Sequence, residues 1–221
     1  TPQEFNLFAD QAQMEIFEQY FYDVNQFKRI PGNSTNYSDM INNLEEKISL
    51  FELYDREATV IGNYGDINLQ SDFSDLYRLG MVRVTYAPET TSKVAEEIQL
   101  KDESMYSDSP LARRSKKRPI YTRYSTPNTP DRLKIYPYPG TADTVKITYT
   151  KKPSTPSWGY VVVNDKALYN STSSTDFELH PAEESELVYR ILAFAGVAIE
   201  KPGLTQIAAG LEGAKVQQEK Q

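Results

Sequence analysis

The apolar residues of this chain change their spacing twice along its length. Phe5, Phe8, Ala12, Ile16, Tyr20, Val24 and Phe27 fall three and four apart, with Phe17 and Phe21 widening the stripe, which is the pattern of one helix face. Between residues 58 and 163 short runs alternate apolar and polar instead, as half-buried strands do. From Leu187 the helical spacing returns through Ile191, Phe194 and Ala198. A chain with helical ends and a strand-forming middle folds as neither one bundle nor one sheet, and its end helices must meet if each apolar face is to be covered. The pattern predicts an α+β fold: a helical bundle built from N- and C-terminal helices, with an inserted antiparallel β subdomain.

Local signals place the breaks. Pro31-Gly32 stops the first helix, and Ser34 or Asn36 caps a second whose face carries Tyr37, Met40, Leu44, Ile48 and Phe51, making a helical hairpin. Strands are expected at 59–61, 67–69, 81–86, 120–124, 133–136, 145–149 and 160–163, with Gly62, Gly65 and Gly80 as separators. The charge spacing of Lys93, Glu96, Glu97 and Lys101 suggests a short exposed helix within 94–105. Nine of the thirteen prolines lie between Pro88 and Pro156, so the middle is loop-rich and cannot be a helical core. A weaker helix from Leu204 contains Gly210 and Gly213, which lower its stability. The boundaries read from this pattern are 1–57 for the helical hairpin, 58–179 for the β subdomain and 180–221 for C-terminal helices packing on the hairpin.

The join between middle and end is the most specific stretch. Tyr149-x-Lys151-x-Pro153 ends a strand, Trp158 follows in a loop, and Phe177-Glu178-Leu179 reads as a strand that turns at His180-Pro181 into the last helical pattern. His180 at N-cap, Pro181 at N1 and Glu183 at N3 mark its start, because proline lacks an N–H that would have no partner there and the helix dipole favours acid.

Composition narrows the function. The chain lacks cysteine, which removes disulfides, thiolate metal sites and cysteine nucleophiles. Neither a long apolar run nor a signal-like N-terminus is present, so neither membrane insertion nor secretion is expected. Sixteen tyrosines in a chain that is 39% hydrophobic suit interfaces as well as cores. Charge is uneven: residues 1–57 hold four Lys/Arg against eleven Asp/Glu, 58–175 sixteen against twelve, and 176–221 four against eight. Acidic ends and a basic middle suggest that the ends share one layer.

Candidate chemistry is sparse. His180 is the sole histidine, without a motif that would place a nucleophile, metal or orienting partner beside it. Glu45-Glu46, Glu96-Glu97 and Glu183-Glu184 are adjacent carboxylates that point about 100° apart on a helix, so they do not face one another across a cleft. Gly62-x-x-Gly65 lacks the Lys-Ser/Thr and helix of a phosphate loop. No enzyme activity, cofactor or metal is expected. The concentrated feature is Arg113, Arg114, Lys116, Lys117 and Arg118, close to Tyr121, Arg123 and Tyr124. Such a run suits phosphate contact with base stacking, or complementarity to an acidic protein surface. Residues 106–118 are expected to be exposed, and to order against an acidic partner.

The join resembles that of the head-to-tail adaptor, or neck ring, proteins of tailed bacteriophages. There a Tyr-x-Lys-x-Pro strand and a Trp-containing loop lead to the pattern formed here by Phe177, Glu178, Leu179, Glu183, Glu186 and Leu187. The resemblance implies a non-enzymatic virion protein in the phage neck, made in host cytoplasm and assembled as a homo-oligomeric ring matched to portal symmetry. It implies contacts with the portal and other neck or tail proteins. DNA would pass through the ring's channel without sequence-specific contact. Arg113, Arg114, Lys116, Lys117, Arg118 and Trp158 are the candidate interface residues; the alternative is a nucleic-acid-binding accessory protein using the same basic run.

Overall fold

A computed structural model describes the chain apart from residues 30–34, 63, 110–112, 165, 200–201 and 220–221; residues 27–29, 35–38, 108, 129, 202–205 and 215–219 are described by backbone alone. In chain order the elements are α1 (Pro2–Arg29), α2 (Thr35–Ser49), β1 (Glu52–Ala58), β2 (Val60–Ile61), β3 (Asp66–Asn68), α3 (Leu69–Asp72), β4 (Leu76–Thr85), β5 (Lys93–Val94) and β6 (Glu96–Ile98). Then follow α4 (Glu103–Asp108), β7 (Ile120–Thr126), β8 (Thr129–Tyr136), β9 (Thr144–Lys151), β10 (Tyr160–Val163), β11 (Lys166–Tyr169), α5 (Glu184–Ala198) and α6 (Pro202–Glu219). The fold is α+β, as the change of period predicts. It divides into a helical unit, Thr1–Leu50 with Pro153–Gln221, and a β unit, Phe51–Lys152, inserted in the sequence between the two helical parts.

In the helical unit α1 packs on α2 and α5, and α6 packs on α5. The α1 stripe is buried at Ala12, Ile16, Phe17 and Tyr20, half-buried at Phe8, Phe21 and Val24, and exposed at Phe5, while Ala9, outside the expected stripe, is also buried. Gln13 lies among them, fully buried, and is polar for a reason. Its Nε2 donates to the Ser154 carbonyl at 2.8 Å and its Oε1 accepts the Glu178 N–H at 3.0 Å. One side-chain amide thus pins two extended arms, 153–158 and 175–180, to α1. Those arms join one another through an antiparallel bridge between Ser157 and Thr175, and through the Glu178 carboxylate, which accepts from the Ser154 N–H and hydroxyl.

This corrects the strand expected at Phe177–Leu179. The backbone there is outside any named strand, because a side chain of α1, and not a neighbouring strand, takes the Glu178 N–H. Beyond the arms, β10 and β11 form a hairpin in register Val163↔Lys166, turning at Asn164 in the left-handed region (φ 50°), which asparagine tolerates better than most residues. The second strand carries no strand signal of its own, because Lys166-Ala167-Leu168-Tyr169 shows little alternation.

The β unit is two sheets, in strand order β1-β9-β4-β5 and β2-β3-β8-β7-β6. One apolar cluster draws Val82, Val84, Val145 and Ile147 from the first and Ile67, Leu133 and Ile135 from the second, so inner faces pack in the manner of a sandwich. The pairing is antiparallel apart from β6 with β7, which is parallel, so the sheet that holds them is mixed. Further differences from the sequence reading have plain causes. Residues 52–58 form β1 and do not continue the helical hairpin; charge at Glu52, Asp55, Arg56 and Glu57 hides a strand whose register slips between Leu53 and Arg56, with Asp55 at φ 51°. Phe51, expected on a helix, is buried in front of that strand.

The helix expected within 94–105 is reduced to α4 and a preceding 3-10 turn, Leu100–Asp102. Its first part pairs as strands instead: Ala95 N–H reaches the Val82 carbonyl and Glu96 N–H the Pro119 carbonyl. Available backbone partners outweigh the charge spacing. Gly80 is not a separator but lies inside β4, where the register with β9 slips and an added Cβ would stand 2.8 Å from the Thr148 carbonyl oxygen. Leu69 begins α3, capped by Asn68. The expected stop at Pro31-Gly32 and the Ser34 cap lie outside the described residues, as do the side chains of Phe27, Asn36 and Tyr37.

Candidate functional site

Among the described residues three groups of chemistry-bearing residues emerge, two in the helical unit and one in the β unit. The first surrounds Trp158. Its N–H donates to Asn6 Oδ1 at 2.7 Å, its carbonyl accepts from Asn6 Nδ2 at 3.4 Å, and its ring stacks on Tyr160 at 5.8 Å. Next to it Gly159 allows the chain to pass Ser173: an added Cβ would meet the Ser173 carbonyl carbon at 2.6 Å. These constraints leave a cleft of about 160 Å³ lined by Phe5, Pro156, Trp158, Tyr169, Asp176 and Phe177 among others. Sequence reasoning singled out Trp158 but not its companions, because Phe5 lies 153 residues before it and Tyr169 and Phe177 carry no local signal of convergence.

The second is a polar layer between helices. Arg190 of α5 is buried and donates through Nε and Nη2 to Glu186 Oε1, at 3.0 and 2.6 Å. Its Nη1 reaches Glu15 at 3.4 Å, its Nη2 bonds Gln19, and Glu212 of α6 stands 3.3 Å from its Nε. One guanidinium therefore links α1, α5 and α6, a fork that a lysine would not reproduce. Nearby in the same unit Lys47 of α2 pairs with the buried Glu183 and lies 5.8 Å above the Tyr20 ring. Glu183 occupies the predicted third position after the cap, in a 3-10 turn, Pro181–Glu183, that leads into α5.

His180 occupies the predicted cap, with Nδ1 accepting the Ala182 N–H at 3.2 Å. On α5 the apolar face is only partly buried: Leu187 is covered, Ile191 and Phe194 are half-buried, and Ala198 is exposed. Glu186 of the polar layer is more deeply buried than Leu187.

The third group is the basic run. Residues Ser115 to Arg118 form a tight turn closed by the Arg118 N–H on the Ser115 carbonyl at 2.9 Å. Arg114 lies 4.2 Å over the Tyr136 ring and 3.5 Å from Glu103; Lys116 lies 5.5 Å over the Tyr86 ring; Arg118 pairs with Glu96 at 2.9 Å. Arg113 and Lys117 are exposed. Of the expected exposed segment 106–118, Arg113 and Ser115 to Arg118 are exposed but Tyr106, Ser107, Ser109 and Arg114 are half-buried, and the run is already held by its own unit, so an acidic partner is not needed to order the described part of it. Burial pushes the phenols of Tyr86 and Tyr136, which face the run, and of Tyr121 far above their ordinary range; elsewhere in the β unit burial together with a hydrogen bond to Asp75 pushes Tyr149 up to about 12.

Among the described residues no group of three or more His, Cys, Asp or Glu is placed to hold a metal ion, and no helix is long and apolar enough to cross a membrane. Compared with known proteins, the chain matches no family model and no curated protein.

Proposed function

We propose that this chain is a non-enzymatic structural subunit that assembles as a ring in the neck of a tailed phage, joining portal to tail. The observation that carries the reading is apolar surface on the C-terminal helices: Val188, Leu192, Val197, Ile199, Ile207 and Leu211 are all exposed in the single chain. Exposed apolar groups in such number mark a surface meant for protein contact. The helical unit also holds seventeen carboxylates against eight Lys/Arg. That balance suits a channel wall along which DNA slides, because repulsion keeps phosphates from sticking.

The placement in a phage neck rests on the resemblance of residues 149–187 to the adaptor proteins. Head-to-tail repetition of one contact closes as a ring, of about twelve copies if it follows portal symmetry. The nucleic-acid-binding reading is weaker, because Arg114, Lys116 and Arg118 already engage groups of their own unit. Cryo-electron microscopy of subunits mixed with portal tests the proposal.

A further inference from the structure

We infer that the cleft beside Trp158 is a seat for a basic side chain, and that its occupant is Lys117 from the Ser115–Arg118 turn of a second copy of this chain. The inference rests on the ring reading and adds to it a specific contact. At about 160 Å³ the cleft is smaller than the roughly 300–1,000 Å³ that small-molecule sites occupy, and it suits one long side chain. Phe5, Trp158, Tyr169 and Phe177 supply four aromatic rings to its lining, and Phe5, Tyr169 and Phe177 are 40%, 58% and 37% exposed. Aromatic faces attract ammonium and guanidinium groups. Asp176 lines the same cleft, is exposed, and has no hydrogen bond or ion pair from a described residue. Rings with one uncommitted carboxylate, in a unit with an excess of acid, define a site for a cation.

The complementary group stands in the β unit, where fourteen Asp/Glu meet sixteen Lys/Arg. Within the turn Lys116 lies over Tyr86 and Arg118 is paired with Glu96. Lys117, at the centre of the turn, is exposed and engages no described residue. A rigid turn that presents one free ammonium loses little entropy on docking. The contact joins two different surfaces, so it is head-to-tail and can repeat around a ring.

The chain has no native cysteine, so introduced thiols report proximity without background. Lys117→Cys and Asp176→Cys variants are mixed and oxidised, and the disulfide joining them is quantified by peptide mass spectrometry. A yield about tenfold or more above that of Lys117→Cys mixed with Glu184→Cys is expected, because proximity replaces a bimolecular encounter; equal yields overturn the inference. In a second arm Lys117→Glu and Asp176→Lys each lower concentration-dependent association, and their mixture restores it, since each tip then meets an opposite charge. Failure of the mixture to restore also overturns it.

If butylammonium shifts Trp158 emission in the native protein but not in Asp176→Asn, while the disulfide yield stays at the control level, the seat takes a foreign basic side chain and the second-copy assignment falls. Rings seen by microscopy without excess disulfide leave the ring reading standing and remove this contact.

Discussion

Asn6 and Trp158 hold one another through both main-chain polar groups of Trp158, with the N–H to Oδ1 bond at 2.7 Å and the Nδ2 to carbonyl bond at 3.4 Å. An asparagine on the first turns of α1 therefore fixes the loop that carries the chain's single tryptophan. Asn6→Ala removes a donor and an acceptor at a half-buried site and is expected to cost about 1–2 kcal/mol. Urea unfolding should show a lower midpoint, and Trp158 emission in the folded state should move to the red as the loop loosens.

Gln13 makes the analogous clamp deeper in the unit. Gln13→Leu keeps the volume but strands the Glu178 N–H and the Ser154 carbonyl, at an expected cost of about 2–4 kcal/mol. Limited proteolysis should then cut within 153–180 faster than in the native chain. Equal cutting rates with unchanged stability would contradict the clamp.

Arg190→Ala leaves Glu186 buried beside Glu15 and Glu212 without their shared cation. Breaking a buried pair in this way costs about 3–5 kcal/mol. Arg190→Lys should recover part of that loss and not all, since an ammonium has three donors and lacks the planar five-donor fork that reaches Glu186, Glu15, Gln19 and Glu212. Thermal unfolding of the three proteins gives the order.

The β unit carries an alkaline limit. Tyr149 ionises near 10 when unfolded and at about 12 when folded, and Tyr86, Tyr121 and Tyr136 are raised in the same direction. Below pH 10 both states keep these protons and the stability contribution is complete. Above it the unfolded chain releases protons that the folded chain retains, so stability falls as pH climbs from 10 through 12. Urea midpoints taken at pH 9, 10, 11 and 12 should drop steeply after the second point, and Tyr149→Phe should flatten part of the drop.

The order of elements was legible where periodicity is long or caps are explicit. The α1 stripe, the His180-Pro181 start and the strands at 81–86, 120–124, 133–136 and 145–149 all follow from residues close in sequence. What escaped depends on partners far away: β1 is a strand because β9 lies beside it, residues 93–98 are extended because Val82 and Pro119 offer backbone groups, and 175–180 stays off a sheet because Gln13 captures its N–H. The cleft shows the same limit. Trp158 stood out by rarity, but the residues that make it a cleft come from α1, β11 and the second arm. The engagement of Arg114, Lys116 and Arg118 was equally invisible, since their partners Tyr136, Tyr86 and Glu96 lie 22 to 30 positions away.

Cryo-electron microscopy of the purified subunit mixed with portal reads the assembly itself. A closed ring of about twelve copies with head-to-tail contacts is expected, with the exposed residues of α5 and α6 buried between neighbours and the acidic helical unit lining the channel. A two-fold dimer with a self-complementary interface, or a single copy bound per portal, would contradict it.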